Sequence, residues 1–295
     1  MRVNPNPVPD LISSIAQVQQ QINRDLEQIA AGQSVNRPSD NPAGAAMLVR
    51  NAAKAAETDQ FQRSASGLSG EMQNADSALS SVVTILQRAI SLGVEGANGT
   101  SNASNRAAIA AEIQGIQSQL ISLANLSYQG NFIFAGTATQ VAPYVLDSTT
   151  PSGVRYVGNS GVNTVTVGDH LAVKANLPGS QLFSAPGADV FQAIQDLVTN
   201  LQGGSNIDAA VSEVSTAYQH INAQRVFYGN AINQLNSQQT FLNNQNTQLA
   251  DQANTIGGAD LPKVISDLVN AQTAREATLE AVSKTQQTSL FDYIK

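Results

Sequence analysis

Between residues 207 and 256, alternating steps of four and three pick out Ile207, Val211, Val214, Tyr218, Ile221, Arg225, Tyr228, Ile232, Leu235, Gln239, Leu242, Asn246, Leu249, Ala253 and Ile256. A helix places such positions on one narrow face over about seven heptads, so the segment is a long helix that must lie against another. Arg225, Gln239 and Asn246 interrupt the row, as polar residues do where they fix register. Gly257-Gly258 ends it.

Partners with the same spacing occur elsewhere. A helix predicted from about Pro42 to Gly96 carries Leu68, Met72, Ala75, Leu79, Val82, Leu86 and Ala89, and a third, ending near Leu126, carries Ile109, Ile113, Ile116, Leu120 and Leu123. Gly67 and Gly70 weaken the former by about 1 kcal/mol each relative to Ala, which predicts a bend or a close helix contact there. The first helix begins near Pro9 or Asp10 and presents Leu11, Ile15, Val18, Ile22, Leu26 and Ile29. The last is capped by Asp260, with Pro262 in its first turn. Its row of Leu261, Ile265, Leu268, Leu279 and Val282 is broken by Gln272, Arg275 and Gln286.

Between the first two helices lies Gly32-Gln33-Ser34-Val35-Asn36-Arg37-Pro38-Ser39-Asp40-Asn41-Pro42-Ala43-Gly44. Gly32 suits a left-handed helix end, and Pro38 and Pro42 push Arg37 and Asn41 toward extended backbone. Ser39, Asp40 and Asn41 are all candidate N-caps, with Pro42 fitting the first turn. The stretch is an ordinary connection or a joint between two bodies, with Arg37 and Asp40 holding the angle through caps or a salt link to the last helix.

The middle of the chain changes period. Phe132-Ile133-Phe134-Ala135-Gly136 reads as a strand or hairpin edge. Short β-like runs follow at Tyr144 to Leu146, Val154 to Val157, Val162 to Val167 and Leu171 to Leu177, separated by Gly- and Pro-containing turns. Helix returns with Val190, Ile194, Leu197 and Leu201 and stops at Gly203-Gly204. The fold class is therefore mainly α: a long antiparallel helical bundle or coiled coil built from the N- and C-terminal halves, with a small inserted β domain. The nesting predicts a terminal coiled-coil part (residues 1–40 and 259–295), a helical rod (41–140 and 188–258) and a β insertion (141–187).

Composition narrows the function. The net charge of −7 and the lack of a Lys/Arg stripe argue against nucleic acid. No apolar run approaches the roughly 18 residues of a membrane span. The chain has no Cys, which excludes disulfides and thiol chemistry, and its start lacks the pattern of a cleaved secretory signal. His170 and His220 have no carboxylate or serine partner at a useful spacing. Asp251, Asp260, Asp267 and Glu276 read as helix-surface charges, and no dinucleotide, phosphate-loop or EF-hand pattern occurs, so no cofactor or metal site is expected. Asn98-Gly99-Thr100 and similar triplets match the glycosylation pattern by chance frequency alone.

In this order the residues resemble the bacterial flagellin superfamily, over roughly 1–140 and 188–295. The resemblance rests on Ala31 to Gly44, Ala75-Asp76-Ser77-Ala78-Leu79, Ala97-Asn98-Gly99-Thr100, Phe132 to Gly136, Val190-Phe191-Gln192-Ala193-Ile194 and the tail from Ala259 to Ile294. Arg37-Pro38-Ser39-Asp40, the Phe-Ala-Gly run and the Ser289 to Tyr293 ending resemble the hook–filament junction branch more than filament flagellins. Gln33-Ser34, where that branch carries a basic pair, and Val8-Pro9-Asp10 depart from its pattern.

The resemblance implies a non-enzymatic structural subunit of the bacterial flagellum. It would be exported without a cleaved signal and would form a ring-like layer of identical copies between a neighbouring hook-associated junction protein and the flagellin filament. It implies an export chaperone for the C-terminal helix, and neither nucleic acid nor membrane as partners. The assembly residues would be Leu11, Ile15, Val18, Ile22, Leu26, Ile29, Leu268, Leu279, Val282, Leu290 and Phe291, and the joint Arg37, Pro38, Asp40, Asn41 and Pro42. A short filament flagellin is the alternative within the family. An extracellular enzyme on a helical scaffold is the alternative outside it and requires a polar pocket with a titratable cluster.

Overall fold

A computed structural model describes the backbone of residues 8–293 and the side chains of residues 9–284. Helices α1 (Val8–Ala31), α2 (Pro42–Ala97) and α3 (Ala103–Ala124) come first. A region of short strands follows: β1 (Ser127–Tyr128), β2 (Asn131–Phe132), β3 (Tyr144–Leu146), β4 (Val154–Tyr156), β5 (Thr164–Gly168) and β6 (Leu171–Lys174). A single turn α4 (Gly179–Leu182) and a hairpin of β7 (Ser184–Ala185) and β8 (Ala188–Asp189) lead into α5 (Val190–Gly203), α6 (Ile207–Gly257) and α7 (Leu261–Tyr293). The molecule is mainly α with a small β region in its middle, as the spacing requires. It divides into two compact units: one holds the chain up to Glu57 and from Gln245 onward, and the other is Thr58–Asn244.

In the second unit, α2 and α6 run antiparallel. Gln87 donates to the Tyr218 hydroxyl (2.9 Å), and Gln62 to Asn243 (2.7 Å). The α2 row from Leu68 to Ala89 is buried throughout, against Val214, Ile221, Tyr228 and Leu235 of α6. Arg225, polar within that row, donates a fork of hydrogen bonds to Asp76 of α2 (Nε 2.9 Å, Nη2 3.1 Å). A two-point pair of this kind specifies one register, since a slip of one turn breaks both bonds. Helix α3 packs on α5 through Ile113, Leu120, Ile194 and Leu197, all fully buried.

By composition α2 is long and apolar enough to cross a membrane, contrary to the sequence expectation that no stretch approaches that length. Its Leu, Val and Ala content has a direct cause, because the row facing α6 is core.

The β region does not form one sheet. Four separate two-stranded antiparallel ladders are present among the described residues: β1–β2, β3–β4, β5–β6 and β7–β8. Isolated hairpins of this length are marginal in water and need a hydrophobic face supplied from elsewhere. That face is the helical core, since Tyr144, Val154, Val167, Val173, Leu182 and Phe183 belong to the same buried cluster as α2, α3, α5 and α6. Tyr144 sits between Phe183 (centroids 5.8 Å) and Phe191 of α5 (4.8 Å), while Phe134 meets Phe183 edge-on at 5.3 Å.

Asn125, the C-cap of α3, joins helix to ladder. Its amide donates to the Tyr144 carbonyl and accepts from the Tyr144 N–H, both at 2.8 Å, in the manner of a neighbouring strand. Of the run Phe132 to Gly136 only Phe132 is in a strand; the rest is irregular and buried. Phe134 O compensates by accepting from Gly179 N (2.7 Å) and the Tyr156 hydroxyl (3.1 Å).

The glycines of α2 serve different ends. A methyl group on Gly96 would meet Leu201 of α5, and one on Gly93 would meet Val211 of α6 and Leu197 of α5. On Gly70 it would meet the Tyr128 hydroxyl at 2.6 Å, so this glycine marks a close contact rather than a bend. Gly67 faces open space. The same substitution should therefore have opposite signs. Gly67→Ala should raise stability by about 1 kcal/mol, and Gly96→Ala should lower it by about 1–3 kcal/mol through overpacking, both read from denaturant midpoints.

Candidate assembly face and joint

Helices α1 and α7 lie antiparallel. At one end Gln33 forms an antiparallel bridge to Gly258, and further along Arg275 Nη1 donates to Gln19 Oε1 (3.1 Å). The least exposed positions define the facing rows: Leu11, Ile15, Val18, Ile22, Asp25 and Ile29 on α1, and Val264, Leu268, Ala271, Arg275, Thr278 and Val282 on α7. Both keep strict steps of four and three, the coiled-coil spacing.

Two sequence assignments shift as a result. From Ile22 the helix turns onto Asp25, 3% exposed, and leaves Leu26 48% exposed. Following apolar residues takes two successive steps of four, whereas the helical period follows geometry whatever the side chain. On α7 the row runs through Val264, so Leu261, Ile265 and Leu279 lie outside it and are exposed, as is Val269. Of the sequence-named assembly residues, the structure places Leu11, Ile15, Val18, Ile22, Ile29, Leu268 and Val282 in the α1–α7 seam. Leu26 and Leu279 lie on the open surface, and the side chains of Leu290 and Phe291 lie outside the described residues.

Sequence reasoning missed Asp25, and also Ile12, 57% exposed beside Leu11. Treating Leu11-Ile12 as one seam position and one surface position was the available signal. The seam carries polar groups at its centre. Gln21 donates to Asp25 Oδ1 (2.7 Å), while Asp25 Oδ2 and Arg275 Nε are buried without a hydrogen bond.

The joint is a network of local bonds. Gly32 adopts φ +66° and closes α1 through its N–H to Gln28 O (2.8 Å). Ser34 N donates to Gly257 O (2.7 Å) and Ala259 N to Gly32 O (3.1 Å), which ties residues 32–34 to the α6–α7 turn. Gly257 is buried there, and a Cβ on it would lie 3.0 Å from Leu48. Asp40 Oδ2 accepts from the backbone of Arg37 (2.8 Å) and Asn36 (3.2 Å), holding the loop as a closed turn. Asn41 is the N-cap of α2: its Oδ1 accepts from Gly44 N (2.9 Å), and Pro42 occupies the first helical position. The Arg37 salt link expected to reach the last helix goes instead to Glu27 of α1 (2.9 Å), because the Asp40 turn folds Arg37 back toward its own helix. Pro38 is exposed at the turn.

No arrangement in either unit has the form of a reaction centre among the described residues. His220 Nε2 shares a hydrogen bond with Gln181 O (2.8 Å) and joins α6 to α4, and His170 is exposed in the β5–β6 turn. Among the described residues no group of three or more His, Asp or Glu is placed to hold a metal ion.

With this geometry in view, the comparisons with known proteins are direct. Residues 9–139 match the profile of the bacterial flagellin N-terminal helical region, and residues 211–294 match that of the C-terminal helical region. The chain belongs to the bacterial flagellin family. It is 26% identical to flagellar hook-associated protein 3 of Escherichia coli K12, over 91% of this chain and 92% of that one. It is 28% identical to a Listeria monocytogenes flagellin over 68% of this chain and 73% of the flagellin. The fold is shared with the flagellar junction protein FlgL from Legionella pneumophila, with a TM-score of 0.62 at 14% identity, over 72% of this chain and all of that one. The profiles leave residues 140–210 unmatched, a span that begins within the short-strand region and runs through α5.

Two substitutions test the seam and the joint of this flagellin-family chain. Asp25→Leu removes a buried carboxylate with an unmet oxygen and should stabilise the α1–α7 pair by about 1–3 kcal/mol, seen as slower amide exchange in both helices. Asn41→Ala removes the α2 cap and should cost about 1 kcal/mol, seen as faster exchange confined to the first turn of α2.

Proposed function

We propose that the chain is a structural subunit of the bacterial flagellum that forms the junction layer between the hook side and the flagellin filament. The observation that carries this reading is full-length correspondence. Hook-associated protein 3 of Escherichia coli aligns over nine-tenths of both chains, whereas the Listeria flagellin aligns over about two-thirds of this one.

Physical support comes from the terminal helices. Two helices alone cover few of their own seam residues: Ile22 and Val264 are buried, but Leu11, Ile15, Val18, Ile29, Leu268 and Val282 are only half covered. Beside them Ile12, Leu26, Leu261, Ile265, Val269 and Leu279 face outward. An apolar surface of this extent suits contact with further helices.

In this reading residues 1–40 and 259–295 of neighbouring copies stack into a tube and form a ring. Residues 41–140 and 188–258 make a rod, and 141–187 decorate that rod. The partners are other copies of the chain, flagellin on one side and a neighbouring hook-associated junction protein on the other. An export chaperone covers the C-terminal helix during passage outward. The subunit has no catalytic task.

Gold-labelled antibody against the chain should mark the hook–filament boundary, whereas label along the whole filament would make it a filament flagellin. The double variant Ile265→Asp and Leu279→Asp should abolish incorporation. It should leave the melting of the free subunit nearly unchanged, since both side chains are exposed already.

A further inference from the structure

A cavity of about 400 Å³ opens between α2, the β1–β2 hairpin and the β5–β6 ladder, wholly within the second unit. Polar side chains converge on it: Glu71 of α2, Tyr128 and Gln129 of the hairpin, Thr139 beyond it, and Asn163 before β5. None of these makes a side-chain hydrogen bond to another protein group, so a carboxylate, two amides and two hydroxyls are left to what enters from outside. Val165 and Ala175 form an apolar wall.

Other features mark the cavity as kept open. Gly67 lines it from the interior of α2, where glycine is unfavourable, and no atom lies within 4 Å of where its side chain would begin. Gly70, one turn on, is accounted for by its contact with Tyr128, whereas Gly67 has no protein neighbour that requires it. At the rim Gln129 adopts φ +50°, beside Gly130 at +83°. A turn of this kind favours Asn, Asp or Gly at its first position, so Gln is held there at a conformational cost. Glu71 is partly buried, and burial pushes its carboxyl above the usual range.

We propose that this cavity binds a pyranose sugar, with Glu71 accepting hydrogen bonds from two adjacent ring hydroxyls. A carboxylate presents two acceptors at a spacing that vicinal hydroxyls match, and the donated protons offset the cost of keeping Glu71 charged in a partly buried place. The amides of Gln129 and Asn163 can each donate and accept, as the remaining hydroxyls require. Val165, Ala175 and the Tyr128 ring suit the C–H face of the sugar. A simple ammonium ion would satisfy Glu71 but leave the amides and hydroxyls unused. The volume falls within the range of small-molecule sites. The ligand is either a free sugar or the end of a glycan chain, which present the same hydroxyls. This assignment does not depend on the role in assembly.

The test is calorimetric titration of the full chain with the methyl glycosides of glucose, galactose, mannose and N-acetylglucosamine. A second arm uses the free reducing sugars, and a third uses butylammonium. At least one sugar should saturate with a Kd of about 1 mM, a level typical of weak specific sites. Glu71→Gln should weaken it at least tenfold, and Gly67→Leu, which fills the cavity, should abolish it, with melting of each variant checked in parallel. If Gly67→Leu fails to fold, Asn163→Ala takes its place, with at least a threefold loss expected. Preference for the methyl glycoside would assign a glycan end, and preference for the reducing sugar a free ligand. The assignment is overturned if no sugar saturates at roughly a hundred times that Kd, if binding survives Glu71→Gln, or if butylammonium alone binds.

Discussion

The antiparallel opposition of α2 and α6 is the constraint from which the other elements take their places. Neither helix can bury its apolar row without the other, and in the second unit the Arg225–Asp76 fork selects one alignment among those that steps of four and three would permit. With that alignment set, Gly93 and Gly96 fall where α5 and α6 come closest, and their missing side chains leave room for Leu197, Leu201 and Val211. A slip of one heptad would separate the charged pair and, in one direction, bring Leu86 to the place of Gly93. Packing and electrostatics therefore select the same register, as expected where local and global preferences agree.

The two ends of the chain follow a different economy. The α1–α7 seam has the spacing of a coiled coil but is shallow, and its centre holds Asp25 and Arg275 with polar atoms left unmatched. Such groups weaken a pair while limiting the ways in which it can be aligned. A helix pair built in this way contributes little by itself and suits a place where further helices complete its surroundings. Joint and seam are linked through Gly32, whose carbonyl accepts from Ala259 at the start of the returning chain.

Much of this was legible in the residues. The long rows of α2, α3 and α6 read correctly because seven-residue periodicity sustained over many turns fits neither a strand nor a loop. The runs Tyr144 to Leu146 and Val154 to Val157 coincide closely with β3 and β4, since Gly- and Pro-containing turns bound them. What failed was the assignment of individual faces on the terminal helices. A weak row with polar interruptions can be traced along either of two adjacent lines, and apolar character alone chose Leu26 over Asp25. The hairpin of β7 and β8 and the turn α4 were missed because ladders of two residues leave no periodicity to detect. The cavity beside Glu71 could not be foreseen, because its walls come from segments far apart in sequence. Gly67, a weak point inside a helix, was the one visible sign of it.

The β3–β4 turn is tied to the helices, with Ser152 buried and its carbonyl accepting from Gln117 of α3 (3.1 Å), whereas the turns at Asp169-His170 and Pro186-Gly187 are exposed. The lengths of the latter two are thus uncoupled from the packing beneath. Insertions and deletions accumulated over evolutionary time can collect at these tips without disturbing the helices, so an outward appearance that differs from one lineage to the next is compatible with an interior held constant.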